Sequence, residues 1–147
     1  MRNLTNTPYM MVNTLTLSVV LATGQNKFNL PYNDTLRSGQ VVGIAIRKPV
    51  AGGKNINGAE LVNDAAINAA FLTLKHQGNE RLMELPCSML LPESNQAPYT
   101  AIDIPKGIAT EDSYVFLPDS ATVIANNTKV IEITFIYIRE ELNGKYC

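Results

Sequence analysis

The single histidine of this chain, His76, and its two cysteines, Cys87 and Cys147, are where any nucleophile or soft-metal chemistry would start. His76 stands where a predicted strand gives way to the turn Gln77-Gly78-Asn79. A Ser-His-Asp triad needs a histidine base, so His76 would have to supply it, and no GxSxG elbow presents a serine. Cys87 lies in the apolar run Leu85-Pro86-Cys87-Ser88-Met89-Leu90-Leu91, which reads as inert core rather than as an activated thiol. Two cysteines and one histidine cannot close a four-coordinate zinc site without carboxylates. Asp103, Glu111, Asp112 and Asp119 offer hard oxygen ligands in one stretch, which suits calcium. Their spacing is not that of an EF-hand, and a solvated acidic rim is the reading taken here, with calcium near Asp112 as the alternative. Ala51-Gly52-Gly53-Lys54-Asn55 holds a lysine among glycines but not at P-loop spacing. Asn3-Leu4-Thr5, Asn33-Asp34-Thr35 and Asn126-Asn127-Thr128 match the glycosylation triplet, as chance allows in a chain rich in Asn and Thr. Tyr99, Tyr114 and Tyr137 fall in predicted strands and read as core or interface rather than as a stacking platform for single strands. The expectation is therefore no catalytic residue, no metal and no cofactor.

The composition narrows the classes further. The 147 residues suit one domain with a real core, and 46% of them are hydrophobic. Only 17% are charged and the net charge is −1, so the folded body has no basic footprint for nucleic acid. The polar remainder is mostly Asn, Thr, Ser and Gln. Cys87 and Cys147 read as free thiols; a single disulfide between them is the alternative. Met10-Met11-Val12 followed by Leu15 to Ala22 loosely resembles a signal peptide. However, Leu15, Leu17, Val19 and Leu21 alternate with Thr14, Thr16 and Ser18, which is a strand pattern. No stretch reaches the length of a membrane span.

The elements that would position these groups are short strands. Alternation and turn signals predict strands over residues 12–21, 27–30, 41–47, 70–76, 80–85, 99–104, 113–117 and 129–139, with Val42, Ile44 and Ile46 sharing a face. Residues 87–91 read as an edge or bent segment after Pro86, and residues 121–125 as a short strand or turn. Residues 59–70 could hold one or two helical turns, since Val62, Ala65, Ala66 and Ala69 have helical spacing. Residues 49–58 and 92–98 read as exposed loops. With no βα alternation, the fold class is all-β: an antiparallel β-sandwich or barrel of about eight strands.

The strand Thr14-Leu15-Thr16-Leu17-Ser18-Val19, the pair Phe71-Leu72-Thr73-Leu74 and Leu85-Pro86-Cys87-Ser88-Met89-Leu90, and the late segment Ser113-Tyr114-Val115-Phe116-Leu117 carry a resemblance. With the polar arm and long loops, residues 12–139 resemble single jelly-roll coat and vertex proteins of viruses, particularly icosahedral bacteriophages. The resemblance implies a virion structural protein, located in the virion as a penton, vertex or minor coat component. Its partners would be other copies of itself and other capsid proteins, with no active site. The alternative is a β-sandwich binding module for carbohydrate or protein, which would show an exposed aromatic platform or a metal site in its loops.

Interface residues follow from the two ends. Residues 1–11 form a polar arm ahead of the domain, residues 12–147, with Leu4, Tyr9, Met10 and Met11 as its anchors for a neighbouring subunit. In the last strand Ile131, Ile133, Phe135 and Tyr137 take one face. Ile136 and Ile138 break the otherwise polar face of Glu132 and Thr134, so a neighbouring copy is expected to cover them. A head-to-tail contact of that kind closes into a ring, and a pentamer is the specific expectation.

Overall fold

A computed structural model describes residues 9–47, 53–55, 58–92, 99–105, 107–118 and 129–141. The described elements are β1 (Tyr9–Leu21), β2 (Lys27–Asn29), β3 (Gln40–Ile46), α1 (Asp64–Ala69), β4 (Phe71–Lys75), β5 (Arg81–Pro86), β6 (Thr100–Ile104), β7 (Tyr114–Phe116) and β8 (Lys129–Glu141). The strands form two four-stranded sheets, ordered β1-β8-β3-β6 and β2-β7-β4-β5. All pairings between these strands are antiparallel. The order has a simple origin. Strands one and eight, two and seven, three and six, and four and five pair with each other, as in one long hairpin of the whole chain. Rolling that hairpin up adds β3 beside β8 and β4 beside β7. This is a jelly roll, in which two sheets pack face to face.

Period-2 alternation decides what lies between the sheets. From β1 and β8, Leu17, Val19, Leu21, Ile131, Ile133, Phe135 and Tyr137 point inward and are buried. From the other sheet come Phe28, Leu72, Leu74 and Val115, with Leu30 and Leu117 just beyond the strand ends. Fully burying one such side chain stabilises by roughly 1.5–3 kcal/mol, so this interior is the main source of stability. α1 is one of the short helical turns that the alanine spacing suggested. Its N-cap is Asn63, whose side chain accepts the Ala66 N–H at 2.9 Å. Ala66 and Ile67 are its buried residues.

Two sequence expectations change and one is narrowed. In β3 the register shifts between Val41 and Gly43 against both neighbours. This bulge resets the alternation, so Val41, Ile44 and Ile46 are buried and Val42 is not. Of the edge or bent segment expected after Pro86, residues 87–90 take the bent form, a 3-10 turn. The reason is the spacing of Cys87 and Leu90, which fall on one side of a turn with three residues per repeat and are both fully buried. β1 begins at Tyr9 rather than Val12, so Tyr9, Met10 and Met11 pair with Glu141, Glu140 and Arg139 of β8. Residues 1–8, 121–125 and Cys147 lie outside the described residues.

Candidate functional site

The outer face of the β2-β7-β4-β5 sheet has the most unusual surface among the described residues. Its strands place Lys27, Phe116, Phe71 and Pro86 in one cross-strand row, and Asn29, Tyr114, Thr73 and Glu84 in the next. Phe71 and Phe116 are directly paired and remain 40% and 39% exposed. Apolar side chains this large are usually turned inward. Here Leu72 and Val115 occupy the inward positions, so strand parity forces the two phenyl rings out. Phe71, Phe116, Pro86 and Glu84 surround a shallow hollow of about 420 Å³.

The polar residues of this face are organised around Tyr114. The Lys27 ammonium sits 4.4 Å from its ring centroid and that of Lys75 5.4 Å. Glu84 accepts a hydrogen bond from the Thr73 hydroxyl at 3.2 Å and pairs with Arg81 at 3.3 Å. Thr73 is fully buried beneath these neighbours although it points away from the core. An exposed aromatic platform is thus present, although the sequence had suggested none. Tyr114 belongs to it, Tyr137 is core, and Tyr99 is a third case described below.

The outer face of the other sheet is hydroxyl-rich. Thr16 and Thr134 share a 2.8 Å hydrogen bond across β1 and β8. Beside them Glu132, only 8% exposed, is paired with Arg47 at 2.8 Å. A groove of about 780 Å³ runs along Thr16, Ser18, Ala45, Arg47, Glu132 and Thr134.

The candidate interface residues fall in two places. Leu4 lies outside the described residues; Tyr9, Met10 and Met11 are described through their backbone pairing with β8. Ile136 is 9% exposed within the chain itself. Its row neighbours are Thr14 and Gly43. The ring of Tyr99 fills the space above Gly43, where a Cβ would meet the ring at 2.5 Å and the Ile136 side chain at 3.1 Å. Laying an aromatic over a strand glycine is a known way to seal such a gap. Ile138 is half-buried, and its partner in β1, Val12, is 67% exposed.

The groups with chemical potential are held in structural roles. The His76 Nδ1–H donates to the Gly107 carbonyl at 2.5 Å, tying the end of β4 to the loop before β7. Ser113, fully buried, extends that tie: its hydroxyl accepts the Lys75 N–H and donates to the Ala109 carbonyl, both at 2.9 Å. Burial pushes the Cys87 thiol up to about 12, far from the reactive thiolate. Asp103 accepts from Gln40 at 2.9 Å, and Glu111 pairs with Arg37. Tyr32 first, and Glu111 after it, raise the Arg37 guanidinium above its ordinary pKa. Among the described residues no three acidic, His or Cys side chains gather to hold a metal ion; Asp119 lies outside them. No helix of the described residues is long and apolar enough to cross a membrane. No protein-family model matches the chain, and no curated protein and no solved structure match it either.

Proposed function

We propose that this protein is a structural subunit of a virus particle, a single jelly-roll coat or vertex protein that assembles with copies of itself and with other coat proteins. The strand order carries the reading. The described chain is spent on one two-sheet roll with a hydrocarbon interior, which leaves the outer faces and edges for partners. Both outer faces carry exposed apolar side chains: Val12 on one, Phe71 and Phe116 on the other. Jelly rolls serve in lectin and cupin proteins as well as in capsids, so the fold alone does not choose.

For the ring contact, Ile138 with its neighbour Val12 is the proposed centre, together with the arm residues Leu4, Tyr9, Met10 and Met11. Ile136, already covered by its own chain, contributes less. Light scattering on the purified protein tests this. A mass of five or more subunits, lowered by Ile138→Glu while circular dichroism stays β-rich, supports the proposal. A monomer at the highest soluble concentration refutes it.

The aromatic platform favours one second reading, a binding module for carbohydrate or protein. Calorimetry against soluble oligosaccharides, with Phe71→Ala and Phe116→Ala as controls, tests the carbohydrate form. Saturable binding lost in both variants would favour it over the shell subunit.

A further inference from the structure

The edge of a sheet presents a row of unpaired N–H and C=O groups, and a chain that stays monomeric blunts it with a short strand, a charge or a proline. Three of the four edge strands here are blunted in that way. β2 has three residues and begins with Lys27, β6 has five and holds Asp103, and β5 has six and holds Arg81, Glu84 and Pro86. β1 is the exception. It is 13 residues long, and Tyr9–Leu21 contains no charged residue and no proline. One side of it pairs with β8. Among the described residues no backbone hydrogen bond reaches its other side. The complement of such an edge is another extended strand.

We propose that this strand is β1 of a second copy, running antiparallel about a two-fold axis through Thr16 at right angles to the sheet. The segment Val12-Asn13-Thr14-Leu15-Thr16-Leu17-Ser18-Val19-Val20 is nearly palindromic about Thr16. The axis sets Val12 of each copy opposite Val20 of the other, Thr14 opposite Ser18, Leu15 opposite Leu17, and Thr16 opposite itself. Parity is kept, so Leu15 and Leu17 stay on the core side and the valines, threonines and Ser18 on the outer side. Asn13 opposite Val19 is the one pair that sets polar against apolar. Val12 and Val20 are 67% and 54% exposed, large apolar side chains that β1 leaves in water. Moving the axis to Leu15 would set Val12 against Ser18, and moving it to Leu17 would set Val20 against Thr14. The axis through Thr16 brings the two valines together.

A second copy suits this edge better than the other edges of the same fold. β1 has no charge to repel its own image, and behind it on β8, from Val130 to Ile138, Glu132 is the one charged residue and is already paired with Arg47. The contact is isologous and uses up both edges, so it stops at two copies instead of growing into an open sheet. Pairing β1 with β6 would set 13 residues against five and lay Asp103 along an uncharged strand. The pairing is independent of the shell reading, because it uses the edge of the sheet and not the outer face at Ile138.

Disulfide trapping and sedimentation velocity over a dilution series, both on the full chain, test it. In a Cys147→Ser background, Thr16→Cys alone should give a disulfide-linked dimer on mild oxidation, and so should Val12→Cys/Val20→Cys. Val12→Cys alone should not. The axis puts the two copies of that residue roughly 26 Å apart, and a disulfide needs Cα atoms within about 7 Å. Without the cysteines, Val20→Glu should weaken association roughly tenfold, since the two-fold repeats each lost valine pair. Adding Val12→Lys to it should recover most of the wild-type association. All these changes are at exposed side chains, so the fold is kept. A protein that is monomeric at its highest soluble concentration overturns the proposal and leaves the edge for a strand of another protein. Crosslinking by Val12→Cys alone as readily as by Thr16→Cys, association unchanged by Val20→Glu, or no recovery in the double charge variant also overturns it. Trapped dimers that go no further keep the pairing and refute the shell; a larger assembly without the Thr16→Cys crosslink does the reverse.

Discussion

Whether Ile136 is sealed by its own chain turns on Tyr99, and Gly43→Ala tests it. A methyl group at Gly43 would stand 2.5 and 2.8 Å from two ring carbons of Tyr99 and 3.1 Å from the Ile136 terminal methyl. Carbon atoms rest at about 3.5–4.0 Å, so the ring must retreat by roughly 1 Å or swing off the sheet. Lifting half of a tyrosine that buries ~150–250 Å² re-exposes about 100 Å², or ~2.5 kcal/mol at 25 cal/mol per Å². Replacing a strand glycine by alanine returns about 0.5–1 kcal/mol of backbone entropy. The net expectation is a loss of ~1.5–2 kcal/mol. With a urea dependence of about 1–3 kcal/mol per molar, the unfolding midpoint should fall by roughly 0.5–2 M. In a Tyr99→Ala background the ring is gone and only the flexible Ile136 methyl remains close. There Gly43→Ala should be neutral or stabilising by up to ~1 kcal/mol, giving a coupling of about 2 kcal/mol in the double-mutant cycle. If Gly43→Ala is harmless in the wild type, or the two changes simply add, Tyr99 does not rest on Gly43. The cover of Ile136 would then have to come from elsewhere, a second copy included.

Other perturbations have equally definite outcomes. Gly107→Ala should destabilise by more than ~2 kcal/mol in thermal unfolding, because its Cβ would coincide with the Arg37 carbonyl, which is backbone and cannot step aside. In a Cys147→Ser background, Cys87 should resist thiol reagents at pH 8 in native protein and react at once in urea, since its pKa is raised to about 12 by burial. The Glu60 carboxylate is held below its ordinary value of 4.5 by the Lys129 ammonium, 2.6 Å away. A lowered folded-state pKa gives stability that is present above 4.5 and lost as pH falls through the lower folded value. Urea midpoints measured from pH 6 downward should therefore drop slightly less in Glu60→Gln than in wild type. Equal slopes would show that the pair contributes nothing on this exposed rim.

Strand positions were legible in the sequence because alternation is local. Leu15-Leu17-Val19-Leu21 and Ile131-Ile133-Phe135-Tyr137 each mark one face, and turn residues mark the ends, so the two-layer all-β class follows without knowledge of any contact. The same rule separates Phe71 from Leu72 and Phe116 from Val115, but only the packing of the two sheets made the phenylalanine side the outer one. What it could not say is that the two rings are neighbours. They are 45 positions apart in the chain and meet only through the pairing of β4 with β7. Register is a property of two strands at once, so Lys27, Phe116, Phe71 and Pro86 became a row only when four strands were laid side by side. The β3 bulge is of the same kind: Gly43 inside a strand is a signal of an irregularity, but the register against β6 and β8 decides which side chains it turns inward. Likewise Ile136 reads as an apolar side chain on a polar face, and the identity of its cover depended on where the ring of Tyr99, on another strand's threshold, came to lie. One chain segment can specify which way its side chains point; which side chains it meets is decided by segments far away in sequence that fold against it.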